Sequence, residues 1–112
     1  MTQPSAALDR TLAALADPDR RRAIDLLREG PRRAGDLAQA IGLPAPAMSR
    51  HLRVLRQSGL VEVDQSEPEF DARVRIYSLR PGPIAELRDW LAETEALWAD
   101  QLASFKKHVE GR

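Results

Sequence analysis

Residues 36–63 decide the fold: DLAQAIGLPAPAMSRHLRVLRQSGLVEV. Leu37, Ala38 and Ile41 recur at helical spacing, so they share one apolar face. Gly42 follows the last of them, where a left-handed residue most often ends a helix. Pro46 suits the opening turn of a second helix, because its missing N–H has no intrahelical partner there. In that second helix Met48, Leu52 and Leu55 face inward. Ser49, Arg50, Arg53 and Arg56 point away from the apolar stripe, with His51 beside them, and residues 45–58 contain no carboxylate. A helix apolar behind, basic and hydroxyl-bearing in front, suits the DNA major groove. Basic helical faces are more often simply solvated, so the flanking sequence has to decide.

Downstream, Gly59 is a second helix stop and Leu60-Val61-Glu62-Val63 alternates as a strand does. A polar loop at 66–72 and a second alternating run at 73–79 complete a β-hairpin. A hairpin directly after a recognition-type helix is the order of a winged helix-turn-helix. Upstream, Ser5 can cap a first helix whose Leu8, Leu12 and Leu15 repeat about every turn. Asp17-Pro18 is an N-cap followed by proline at the first helical position, and Ile24 and Leu27, with Leu26 adjacent, face the core of that second helix. Gly30-Pro31 ends it, and Pro31-Arg32-Arg33 leads into the helix-turn-helix. Pro81-Gly82-Pro83 is a hard break, followed by one long helix over about 84–109. The expected architecture is mainly α (α+β): a single winged helix-turn-helix domain over 1–112, with five helices and a two-stranded wing between the fourth and fifth. Within it the helix-turn-helix spans about 34–58, the wing 60–79, and the terminal helices 5–16 and 83–110.

A chain of 112 residues has room for one small core. Lys plus Arg and Asp plus Glu each number 17, so the formal net charge is zero and non-specific coating of nucleic acid is disfavoured. Charge is instead segregated, with bases on the second helix of the motif and Glu86, Asp89, Glu93, Glu95 and Asp100 on the last helix. There is no cysteine, which excludes disulfides, thiolate metal sites and thiol redox sensing. No apolar run approaches the roughly 20 residues that span a bilayer, and the N-terminus lacks a signal-peptide pattern. A cytoplasmic protein is the expectation, with no cofactor and no membrane partner.

The last helix carries a second signal. Ile84, Leu87, Leu91, Leu97 or Trp98, Leu102, Phe105 and Val109 form an approximately heptad stripe around polar Thr94. A stripe this long exceeds what one small winged body covers, which favours packing against the same helix of a second copy. An intramolecular core helix is the alternative. The short, Ala-rich first helix, with Leu8 and Leu12, would pack against the long one.

The stretches AALADPDRRRAIDLLREGPRRAGDLAQAIGLP and AMSRHLRVLRQSGLVEV resemble the ArsR family of bacterial winged-helix transcription regulators. RVRIYSLRPGPIAELRDWL is similar to the closing strand and last helix of one branch of it. The likeness runs from about Leu12 to about Leu102, on Ala16-Asp17-Pro18, Arg20, Ser49-Arg50-His51-Leu52, Leu55 and Ser58-Gly59-Leu60-Val61. It implies a DNA-binding regulator whose terminal helices pair two chains, here through Leu8, Leu12, Leu87, Leu91, Leu97, Trp98, Leu102 and Phe105. Family metal motifs are not carried over. The Cys-x-Cys motif is absent, the Asp-x-His motif is not formed, and His108 with Glu110 is only a fragment. Pro44 stands where a capping Ser or Thr is common, and Arg33 where a Thr is. The wing loop Ser66-Glu67-Pro68-Glu69-Phe70-Asp71 is acidic where bases and glycines are usual, so phosphate would repel its tip.

Ser49 and His51 do not make a nucleophile and base, because residues two apart on a helix do not face each other. No glycine-rich oxyanion or phosphate loop accompanies them, so an enzyme is set aside. The reading is a sequence-specific, homodimeric DNA-binding repressor acting on an inverted-repeat operator in double-stranded DNA, without metal sensing. Ser49, Arg50 and Arg53 are assigned to the major groove, and Ala47 to close approach against a thymine methyl. His51 either contacts phosphate or supports the helix from behind. Arg32, Arg33, Arg56, Arg73 and Arg75 are assigned to phosphate positioning, the last two from the returning strand of the wing. Two rivals stay open. One is a winged-helix protein–protein adaptor; the other is a repressor responsive to a small-molecule effector, with Trp90, Trp98 and Phe105 lining a pocket.

Overall fold

The computed structural model describes residues 5–64 and 71–111. Five helices and three short strands follow in the order α1 (Ala6–Leu15), α2 (Pro18–Leu27), β1 (Arg32–Arg33), α3 (Ala34–Ile41), α4 (Ala45–Gln57), β2 (Val61–Val63), β3 (Ile76–Leu79) and α5 (Pro81–Glu110). A single 3₁₀ turn, Ala72–Val74, precedes β3. The fold is thus mainly helical with a wing, as the sequence pattern requires.

Local chemistry sets each boundary. Ser5 caps α1 by accepting from the Leu8 N–H at 3.0 Å. Asp17 caps α2 by accepting from the N–H groups of Asp19 and Arg20, with Pro18 at the first helical position. Gly42 ends α3 in the left-handed conformation (φ 83°), and the N–H groups of Gly42 and Leu43 both close on the Ala38 carbonyl. Gly59 (φ 78°) ends α4 in a Schellman arrangement, in which the Leu60 N–H reaches back to the Leu55 carbonyl at 3.0 Å. Leu55 and Leu60 are both fully buried, supplying the apolar contact that accompanies this stop.

The core is the one read from the helical periods of α2, α3 and α4. Ile24, Leu27, Leu37, Ala38, Met48, Leu52 and Leu55 are buried together with Leu60, Val61 and Tyr77. On α1 the expectation needs correcting. Its buried positions are Leu8, Thr11 and Ala14, while Leu12 is 41% exposed. Thr11 can be buried because its hydroxyl donates to the Ala7 carbonyl one turn back.

Three differences from the expected layout have physical causes. The wing sheet has three strands, not two: Arg32 and Arg33 pair antiparallel with Tyr77 and Ile76, giving the order β1-β3-β2. A two-residue strand shows no alternation, so only the closure of the chain onto β3 reveals it. Arg73 and Arg75 lie in and just after the 3₁₀ turn rather than on the returning strand, which begins at Ile76. The break at 81–83 falls inside α5: Pro81 and Pro83 occupy its first turn, where an N–H has no intrahelical acceptor to lose.

Helix α5 has 30 residues, about 45 Å at 1.5 Å per residue. It packs chiefly against α1, and the Ser5 hydroxyl hydrogen-bonds the Glu86 carboxylate at that junction. Beyond the junction it has no buried residue, and the molecule extends to 70 Å along its longest axis. No described helix is long and apolar enough to cross a membrane.

Candidate nucleic-acid interface

Helix α4 is amphipathic in a way that fixes what it presents. Met48, Leu52 and Leu55 anchor one side in the core, and at about 100° per residue Ser49, Arg53 and Arg56 fall together on the flank next to Leu52. Arg50 lies opposite the core stripe. All four are exposed. Pro44 occupies the N-cap without a side-chain hydrogen bond, so no side chain of the protein caps the N–H groups of Ala45 and Ala47. Ala47 is half-buried and falls on a flank away from Ser49, so it is not part of this front.

The wing base comes to the same place. Ser49, Arg53 and Arg56 of α4 line one cleft with Arg75 and the buried ring of Tyr77. Ser49 lines a neighbouring, mainly apolar cleft with Ala34, Gly35 and Arg73. Gly35 allows this closeness: a Cβ there would stand 3.2 Å from the Arg73 carbonyl oxygen. The expected wing tip falls on residues 65–70, outside the described residues, apart from Asp71.

The state of each arginine separates the expected contacts. The side chains of Arg50, Arg53, Arg56 and Arg33 make no hydrogen bond or ion pair with a described residue. Arg32 is engaged elsewhere: its Nε donates to the Leu26 carbonyl at 3.1 Å and it pairs with Glu29, tying β1 to the end of α2. Arg73 forks onto Asp71, donating from Nε and Nη2 at 3.1 and 2.8 Å. The Arg73 side chain, with the Arg73 N–H, holds the Asp71 carboxyl down at about 2 and raises the guanidinium in turn. One acid at the wing base therefore already compensates one of its cations.

His51 is half-buried on the flank of α4 that faces α2, and does not join the arginine front. Its Nδ1 lies 3.3 Å from Nη1 of Arg20. Of the two roles expected of His51, this contact has the geometry of the supporting one. Arg20 also donates to the carbonyls of Ala14 and Ala13, and Arg21 to that of Leu15, so two guanidinia cap the C-terminal end of α1. Arg20 was legible only as a word of the family resemblance; its spacing from His51 carried no signal by itself.

Among the described residues, Asp17, Asp19 and His51 bring three ligand-type atoms within 4.8 Å of one another. Their donors are already engaged, Asp17 Oδ1 with two backbone N–H groups and His51 Nδ1 with Arg20. The bonds these two groups make are those of a helix cap and a clamp.

The arrangement as a whole is an acid-free, arginine-bearing helix front beside a wing base in which Asp71 engages Arg73. Known proteins agree with it. The family described as "Bacterial regulatory protein, arsR family" matches residues 17–63. The HTH-type transcriptional regulator NmtR of Mycobacterium tuberculosis is 42% identical over 79% of this chain and 69% of its own length. The transcriptional repressor SdpR of Bacillus subtilis is 30% identical over 75% of this chain and 88% of its own. An ArsR-like transcriptional regulator from Rhodococcus sp. RHA1 superposes with a TM-score of 0.80 at 26% identity, over 96% of this chain and 94% of that one.

Proposed function

The chain belongs to the ArsR family of bacterial transcriptional regulators with a DNA-binding winged helix-turn-helix, and from that premise we propose that it is a homodimeric repressor of an inverted-repeat operator. In this reading residues 1–112 act as one DNA-binding domain in the cytoplasm. Ser49, Arg50 and Arg53 read bases, while Arg33, Arg56 and Arg75 set the register on phosphates. The observation that carries it is the contrast among arginines. Arg50, Arg53 and Arg56 alone along α4 have no acid beside them, whereas Arg28, Arg32, Arg73 and Arg88 each have one. Exposed guanidinia clustered on one rigid helix with no acid among them raise a local positive potential, which favours a polyanionic partner over an adaptor role. SdpR, named a transcriptional repressor, supports the sign of regulation.

Two recognition helices paired by a twofold axis sit about 34–36 Å apart on successive turns of the same DNA face. Footprinting of the protein on the DNA upstream of its own gene tests this. Protection of two half-sites one turn apart is expected, and protection of a single half-site would overturn the dimeric reading.

Release is proposed to be independent of metal ions, because the chain has no thiol and only His51 and His108 as imidazoles. His51 is held by Arg20, and His108 is exposed near the end of α5. Stoichiometric Zn²⁺ added to the operator complex should leave it bound. Dissociation that His108→Ala abolishes would place a sensor on α5 instead.

A further inference from the structure

A cleft of about 540 Å³ opens between α2, the end of β3 and the first turns of α5. That volume lies within the range of small-molecule sites, roughly 300–1,000 Å³. Its floor is apolar, made by Ile24, Leu79 and Ile84, and Ile84 keeps 38% of its surface open. Its rim is cationic: Arg28, Arg80 and Arg88 against the single acid Asp25.

The electrostatics of this rim are unbalanced. The cleft surrounds the N-terminal, positive end of a 30-residue helix. That end has no acidic residue in its first turn, and its N-cap is Arg80, which makes no side-chain capping bond. Guanidinia thus stand where a helix favours an anion. Pro81 and Pro83 remove two of the N–H groups that could have held one, so the side chains must supply the grip. Their present partners are weak ones. Arg28 meets Asp25 at 2.7 Å, Arg80 meets Glu62 at 3.9 Å and Arg88 meets Asp89 at 3.4 Å, and every one of these side chains is exposed. Exposed pairs contribute little and exchange readily for a better-placed carboxylate.

We propose that this cleft binds a free amphipathic carboxylate, its head on Arg80 and Arg88 and its hydrocarbon tail over Ile24, Leu79 and Ile84. A phosphate ester of a sugar fits the rim but not the apolar floor; a neutral hydrocarbon fits the floor but leaves the rim unanswered. The planar fork of arginine matches a carboxylate in two parallel bonds. Such a ligand touches α2, β3 and α5 at once, at the joint between the winged body and the long helix. This inference does not depend on how α4 reads DNA.

The test uses the full chain and octanoate, with octanol and acetate as comparators. Calorimetry should give one saturable octanoate site per chain, at least about tenfold tighter than either comparator. Amide chemical shifts should move around Leu79, Arg80 and Ile84. The double variant Arg80→Gln, Arg88→Gln should weaken octanoate about tenfold without lowering the unfolding midpoint, since both side chains are exposed. Ala85→Trp, which fills the cleft and leaves its charge alone, should block binding as well. The proposal is overturned by the absence of saturable binding at millimolar octanoate. It is equally overturned by octanol binding as tightly as octanoate, by affinity unchanged in both variants, or by shifts that map to the distal half of α5.

Discussion

Nη1 of Arg20 lies 3.3 Å from Nδ1 of His51, while Nε of the same guanidinium donates to the Ala14 carbonyl at 2.6 Å. A guanidinium only donates, so Nδ1 of the imidazole is the acceptor in this contact. One side chain from α2 therefore joins the C-terminal end of α1 to the flank of the recognition helix. The front of α4 is aimed by what holds its back.

Arg20→Ala should lower stability by about 2 kcal/mol, the scale of part-buried hydrogen bonds from a charged donor. It should weaken binding to all operator variants alike, because no base contact is removed. Arg20→Lys should recover little, since one ammonium cannot span Ala14, Ala13 and His51 together. Urea unfolding and operator titration measure both effects. An unchanged unfolding midpoint in Arg20→Ala would remove the clamp from the account.

Replacing Arg50 or Arg53 by Ala should cost about 1–3 kcal/mol on the preferred operator and relax discrimination at one base position. Arg75→Ala should weaken all sequences and lower the salt slope by about one unit. Arg73→Ala should lower that slope by less than one unit, because Asp71 already compensates its charge. Asp71→Asn should then steepen the slope by releasing Arg73. A salt series across operator variants sorts these residues, and the base-reading assignment fails if the α4 variants behave like Arg75→Ala.

How much of this was legible in the sequence follows from the range of each interaction. The stops at Gly42 and Gly59, the caps at Ser5 and Asp17 and the buried stripe Met48–Leu52–Leu55 are local, so their spacing announces them. The stripe of α1 was misread because Leu8, Leu12 and Leu15 fit a helical period as well as Leu8, Thr11 and Ala14 do; packing against α5 decided between them. The strand Arg32–Arg33, the approach of Gly35 to Arg73 and the Arg20–His51 contact join residues far apart in sequence. No local pattern encodes such contacts. The same limit applied to the arginines: composition counts them, but only the fold separates those with acids from those without.

Acid should weaken the fold through Asp17. Burial raises its pKa, but the N–H bonds from Arg20 and Asp19, then the charges of His51 and Arg20, outweigh that and hold it below the ordinary 3.8. A carboxylate depressed in the folded state contributes stability above its unfolded pKa and loses it as pH falls through its folded one. Asp17 should therefore cost nothing from neutrality down to about pH 4, and the loss should come below that. Asp71, at about 2, follows the same sign. Asp17→Ala should lower stability by about 1 kcal/mol at neutral pH through the lost cap, and should flatten the acid limb of a plot of urea midpoint against pH. An acid limb as steep as that of the parent chain would show that other groups govern it.

The distal half of α5 should be an interface between two copies. Leu97, Trp98, Leu102 and Phe105 are between 58% and 67% exposed in the single chain, a density of apolar surface that water does not favour. Thr94 interrupts the stripe without needing a partner, because its hydroxyl donates to the Trp90 carbonyl within the same helix at 2.9 Å. Leu8 is only 4% exposed, so α1 should contribute Leu12 and not Leu8 to the pairing. Burying one such Leu or Phe is worth about 1.5–3 kcal/mol, and a twofold axis counts each residue twice. Leu102→Glu should thus weaken dimerisation by several orders of magnitude, since it removes that burial and places like charges across the axis. It should not disturb the core, which lies far from residue 102, so the thermal transition of the winged body should persist. Affinity for a two-half-site operator should fall with it, while affinity for one half-site should hold. Sedimentation at micromolar concentration reads the first effect directly, and a Leu102→Glu variant that stays dimeric would move the interface off α5.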